Sequence, residues 1–322
     1  MVSSMLSRIA ESLFWIGRYL ERADDTARIL EVQVHQILED VSADEASISR
    51  SLVHALGVPT QASEEIDFNN VIKALSFNLE LPGSIISSIT GARENARGIR
   101  ESLSTELWEC LNVTHNTLLA RSTAVASIGP HEFFRFARHI KERVALASGI
   151  AEMTMVRDAG WHFLTLGRSL ERIDMTVRLL GVRHAFASDA NEWTATLRSC
   201  SAHEAYLRTY DGEINGLNVI EFLLLDRLFP RSVHFALHEA EVALDRLSPS
   251  VGRSGTVGEA QRVLGRARAL LDYHEIGELY ASLPSTLVAL QAVCSETSTA
   301  ISERYFRVRT TTPWQLDDPV FH

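Results

Sequence analysis

Residues 14–30, FWIGRYLERADDTARIL, return 150 positions later as residues 164–180, LTLGRSLERIDMTVRLL. Nine of the seventeen positions are identical: Gly17/Gly167, Arg18/Arg168, Leu20/Leu170, Glu21/Glu171, Arg22/Arg172, Asp24/Asp174, Thr26/Thr176, Arg28/Arg178 and Leu30/Leu180. Chance pairing at ordinary composition gives roughly one match. A second echo follows at an offset of 148: Asn70-Val71-Ile72 against Asn218-Val219-Ile220, with Pro82 and Ser84 against Pro230 and Ser232. The chain reads as a tandem duplication, and duplicated helical halves are expected to pack about a pseudo-two-fold axis. Two units are too few for a solenoid, so a closed bundle is expected. The expected fold is all-α, one large helical bundle in a single domain. Its halves fall at about 5–157 and 160–306, with an irregular tail at 307–322.

Helical periodicity supports this. Leu13, Ile16, Leu20, Ala23, Ala27, Leu30 and Val34 step by three and four, which predicts one helix over 5–40. A second helix at 47–57 stops at Gly57 and Pro59. Asp67 caps the next, which Pro82 ends. Ser84 caps a helix running through Arg93, Arg97 and Leu103, and Thr105 to Val125 forms another. Gly129-Pro130 is a break before a helix at 131–157. The second pass predicts helices at 160–184, 191–212, 215–228, 231–247, 258–272 and 275–304. Ser248 to Gly258 reads as a flexible loop, and no alternating run predicts a sheet.

The bulk numbers exclude several classes. Among 322 residues, 46% are apolar, enough for a sizeable core. The net charge of -10 argues against nucleic acid, which needs a clustered basic face. Cys110, Cys200 and Cys294 are far apart and no CxxC occurs. That pattern predicts neither a disulfide framework nor structural zinc, and points to a reducing, cytoplasmic setting. No apolar run is long enough to span a membrane, and Arg8 and Glu11 come too early for a signal peptide.

On a helical wheel Arg18, Glu21, Asp24, Asp25 and Arg28 share about a third of the circumference, opposite the apolar set. Arg22 and Thr26 lie toward the flank. Arg168, Glu171, Asp174 and Arg178 repeat the stripe, with Arg172 beside them. Arg18–Glu21 and Asp24–Arg28 have ion-pair spacing within one helix. Three readings fit. The stripe is a solvated charged face, a buried ion-pair network joining the halves, or a binding site. As a site, the arginines hold an anionic group and Glu21 or Glu171 acts as acid or base.

A second cluster, ARENARGIRESLSTELWECLN at 92–112, places Arg93, Arg97 and Arg100 on one face with Glu94 and Glu101 beside them. Trp108 and Asn112 follow at i,i+4 spacing, and the second half lacks the pattern. Helical ion pairs are the plain account of it. His234 and His238, with Glu239 or Glu241, have the spacing of metal ligands, but no third ligand is indicated and no metal is expected. No phosphate loop, nucleophile elbow or HExxH occurs, and no cofactor is expected.

The opening MLSRIAESLFWIGRYLERADDTARIL and the later ARENARGIRESLSTELWECLN resemble the alpha-E domain family, a bacterial helical family named for its Glu-Arg motif. Glu21-Arg22 and Glu171-Arg172 match that motif; Glu94, Arg97, Trp108 and Asn112 match a second signature. The resemblance covers roughly residues 5–310 and implies company rather than a reaction. Such proteins occur beside, or fused to, circularly permuted ATP-grasp proteins, often with transglutaminase-like peptidases nearby. The implied role is as partner or substrate holder in an amide- or peptide-bond-forming system, with an Arg/Glu-lined groove for an anionic or peptide group. The alternatives are an enzyme using Glu21 and Glu171 as acid/base carboxylates, and a purely structural, homo-oligomerising helical protein.

Overall fold

The computed structural model describes residues 7–39, 45–58, 67–124, 129–186, 190–249 and 258–306. Among them the chain forms α-helices and no strand. In order these are α1 (Ser7–Glu39), α2 (Glu45–Ala55), α3 (Phe68–Phe77), α4 (Ile85–Gly98), α5 (Thr105–Ala124), α6 (Pro130–Thr154) and α7 (Ala159–Phe186). They continue as α8 (Ala190–Ser199), α9 (His203–Thr209), α10 (Gly216–Leu225), α11 (Val233–Leu247), α12 (Glu259–Tyr273), α13 (Ile276–Ala281) and α14 (Leu283–Ile301). A short 3-10 turn spans Arg100–Ser102 and a π-helical turn spans Ser302–Phe306.

The centre is α1 against α7. Helices α4 and α6 lie on α1, and α5 lies on α4 and α6; likewise α11 and α14 lie on α7, with α12 on both. Helix α2 reaches across to α7, and α8 reaches across to α1. One continuous core runs through both groups, from Ala10 and Leu13 to Leu290 and Ile301. Contacts between the central helices join Gly17 to Arg168, Arg18 to Glu171 and Glu21 to Arg172. These pairs are 151, 153 and 151 residues apart. A steady separation means that α1 and α7 run parallel.

Sequence signals act locally as physical chemistry requires. Asp67 and Ser84 cap α3 and α4 by accepting from the Asn70 and Ser87 amides, and Ser232 does the same for α11 at Phe235. Pro130 occupies the first turn of α6 after Gly129. Four expectations need correction. Helix α3 ends at Phe77 rather than at Pro82, because the Asn78 side chain accepts the Glu80 amide and turns the chain. Helix α4 ends at Gly98, so Leu103 lies beyond it. The stretch 191–212 is two helices, broken where Ser201 adopts a φ of 52° and the Ala202 amide reaches back to Leu197. The stretch 275–304 divides at Ser282, and Pro284, which lacks an amide donor, sits in the first turn of α14. Most of the Ser248–Gly258 loop and the whole 307–322 tail lie outside the described residues.

Candidate functional site

The repeated charges meet between α1 and α7. Glu171 is 1% exposed and accepts from Arg22 Nε at 2.5 Å, Arg22 Nη2 at 3.0 Å and Arg18 Nε at 2.6 Å. Glu21 is 5% exposed and accepts from Arg172 Nε at 2.7 Å and Nη2 at 2.8 Å. The same guanidiniums anchor the loops before α4 and α11: Arg22 donates to the Pro82 carbonyl at 3.4 Å, Arg172 to that of Pro230 at 2.9 Å. Arg18 also donates to Ser298 Oγ at 3.0 Å. Each glutamate is thus gripped by the other helix. The i,i+3 pairing expected of Arg18 with Glu21 is not what forms. Arg22 and Arg172, placed toward the flank by the helical wheel, supply the bidentate forks.

Outside this centre the i,i+4 pairs do form. Arg28 Nε meets Asp24 Oδ2 at 2.7 Å, and Arg178 Nε meets Asp174 Oδ2 at 2.9 Å. Arg28 also donates to Ser201 Oγ at 2.5 Å, which ties the left-handed turn between α8 and α9 to α1.

Burial by itself would raise the Glu21 carboxyl, but Arg172 and Arg231 outweigh it and hold it at about 2. Burial likewise pushes Glu171 up, but Arg18 and Arg22 overcome it, and its pKa lies below the ordinary carboxylate value. Both groups are anions at neutral pH and have no proton to give. Asp25 differs: burial pushes it up to about 7, Arg231 pulls the other way, and Glu21 and Asp24 add to the rise.

Arg231 is the residue that sequence reasoning missed. It stands where the 148-residue echo has Gly83, between the matched Pro230 and Ser232. Its guanidinium reaches Asp25 Oδ1 and Asp24 Oδ2, each at 2.5 Å, and Glu21 Oε1 at 3.2 Å. Asp25 is unrepeated too; Met175 stands at its counterpart. The available signal was this paired departure from the repeat, Asp25 with Arg231 against Met175 with Gly83. Arg231 also supplants Arg168. Where Arg18 bonds Glu171, Arg168 makes no hydrogen bond or ion pair with another described residue and feels Glu21 only at longer range.

The second cluster comes together on α4 and α5. Arg93 donates to Asn112 Oδ1 at 3.2 Å and pairs with Glu94, which also accepts from Arg97 Nε at 2.8 Å. The guanidiniums of Arg93 and Arg100 lie 5.6 and 5.4 Å from the Trp108 ring. Arg97 is 64% exposed. His234 Nε2 pairs with Asp272 at 2.9 Å and Glu241 with Arg268. Among the described residues no three potential ligands gather. No helix among them is long and apolar enough to cross a membrane.

Uncharacterised proteins of Mycobacterium bovis and Mycobacterium tuberculosis (strain CDC 1551 / Oshkosh) are each 29% identical to this chain over 270 residues. A third, from M. tuberculosis strain ATCC 25618 / H37Rv, is 28% identical over the same length. The matched region is 77% of this chain but 30% of each relative, so the chain spans about a third of the length of the curated relatives it matches. No solved structure matches it. A family model described as a predicted alpha-helical domain with a conserved ER motif covers residues 5–306, taking in Glu21-Arg22 and Glu171-Arg172. The chain belongs to the Alpha-E family.

Proposed function

We propose that this protein is a non-catalytic partner, a scaffold or substrate holder, of a circularly permuted ATP-grasp ligase in a cytoplasmic system that makes amide or peptide bonds. The observation that carries the reading is the fate of the Glu-Arg motif. Both glutamates are buried and bonded by arginines of the opposite helix, so the motif's own chemistry is spent on joining two halves. As general acids Glu21 and Glu171 would have no proton to give near neutrality. The mycobacterial relatives support a partner role from another side: there the matching region is one part of a longer chain.

The same contacts support a duplication folded about a pseudo-two-fold axis, with halves at about 5–157 and 160–306 in one domain. Arg22–Glu171 and Arg172–Glu21 are exchanged contacts, as are those of α2 on α7 and α8 on α1. A transglutaminase-like peptidase acting on the same product is a further partner in this scheme.

Co-expression with the ATP-grasp protein tests the proposal. The expected result is a complex that survives gel filtration and a ligase whose ATP-dependent acyl-phosphate formation, trapped with hydroxylamine, rises when this protein is added. Separate elution together with unchanged trapping would overturn it.

A further inference from the structure

Beside the central helices, aromatic rings cluster near the starts of α1 and α7. Phe306 lies 5.6 Å from Phe14 and 6.0 Å from Phe163, and Tyr305 lies 5.2 Å from Phe163. Met155 and Val156 link α6 to α7, and Val156 is 74% exposed. A cleft of about 900 Å³ opens at this α6–α7 junction. Its apolar lining includes Ile9, Leu13, Leu103, Met155 and Leu247.

The cleft also holds an exposed cation. Arg246, near the end of α11, makes no hydrogen bond or ion pair with another described residue. It shares the cleft with His162 of α7, whose pKa falls through burial first and the nearby Arg246 second. The other charged groups there are Arg157, Asp158 and Glu101. Arg157 is occupied by Glu152 and stacks 3.7 Å over Trp161. Asp158 faces His162 but caps α7, accepting the Gly160 amide at 2.9 Å. Glu101, on the 3-10 turn, is the acid of the opposite wall. A guanidinium in an apolar lining is complementary to a carboxylate on an apolar body.

We propose that this cleft binds an apolar carboxylate, with the carboxylate at Arg246 and the body against Leu13, Leu103 and Met155. Two sources share that chemistry, a free apolar amino acid and the C-terminal residue of a peptide. Glu101 can receive the ammonium of the first. The inference deepens the partner reading by naming a ligand class, and its test needs no ligase, so either can fail alone.

Calorimetric titration of the full chain with phenylalanine, N-acetylphenylalanine and N-acetylphenylalaninamide tests it. At least one of the two acids is expected to bind, with the amide about tenfold weaker or more, because a charge-assisted fork is lost. The variant R246Q is expected to bind that acid no better than the amide while melting at the wild-type temperature. The variant V156F, which adds bulk to the cleft lining, is expected to weaken binding. Tighter binding of phenylalanine assigns the free amino acid; tighter binding of the acetylated acid assigns the peptide end. Equal binding of acid and amide, wild-type binding by R246Q, or no binding of either acid at about 10 mM would overturn the inference.

Discussion

Gly17 of α1 lies so close to Leu164 of α7 that a methyl group on it would sit 2.2 Å from the Leu164 carbonyl oxygen; one on Gly167 would sit 2.0 Å from that of Phe14. Both obstacles are backbone, which cannot swing aside. Gly17→Ala and Gly167→Ala should each force α1 and α7 apart. A loss of about 3 kcal/mol or more is expected, at the upper end of overpacking costs, and denaturant titration measures it. Gly98→Ala is the control, since no heavy atom lies within 4 Å of a methyl there.

Glu171→Gln leaves Arg18 and Arg22 buried without their anion. Removing one member of a buried pair costs about 3–5 kcal/mol, so the melting temperature should fall sharply. An unchanged melting temperature would instead return the motif to the list of working sites. Acid should act in the same direction. The Glu21 pKa is lower folded than unfolded, so its stabilising share is present above about 4.5 and is lost as pH falls toward 2. Circular dichroism against pH should show unfolding in that window.

Asp25 has the opposite sign. Its pKa rises from 3.8 to about 7 on folding, so stability is greatest below the unfolded value and declines as pH climbs through 7. Asp25→Asn should therefore raise the melting temperature relative to wild type, more at pH 8 than at pH 5, where only part of the loss has set in, because Arg231 keeps Glu21 and Asp24. A uniform drop at both values would show that the Asp25–Arg231 pair stabilises throughout.

The exposed half of the second cluster should be energetically minor. Glu94 and Arg97 are 41% and 64% exposed, and such pairs contribute up to about 1 kcal/mol. Glu94→Ala and Arg97→Ala should melt close to wild type. Any loss of ligase stimulation in these variants would then mark a contact surface rather than a folding defect.

Periodicity and capping residues read most of the helices correctly, because Asp67, Ser84 and Pro130 act on their own neighbours. Most of the stripe's membership was legible as well, since the repeat spells all of it but Asp25 twice. Its pairing was not. A helical wheel joins residues three and four apart, whereas Arg18 and Arg22 reach a carboxylate about 150 positions away. Arg231 was hidden for the same reason: it enters from the loop before α11, and its role exists only when three acids of α1 face it. The break at Ser201 escaped because its left-handed backbone is held by a capping turn and by Arg28, not by a glycine.

The parallel pairing of α1 with α7 has a consequence for synthesis. A ribosome working at about 5–20 residues per second needs roughly 8–30 s to make the 150 residues between Glu21 and its arginine. Throughout that interval α1 carries acids and an apolar face without their complement. The face that α7 will offer resembles the one that α1 carries, so α1 of a neighbouring nascent chain is a ready substitute. Polysomes crowded with this message should favour entangled dimers, and slower initiation should favour the monomer.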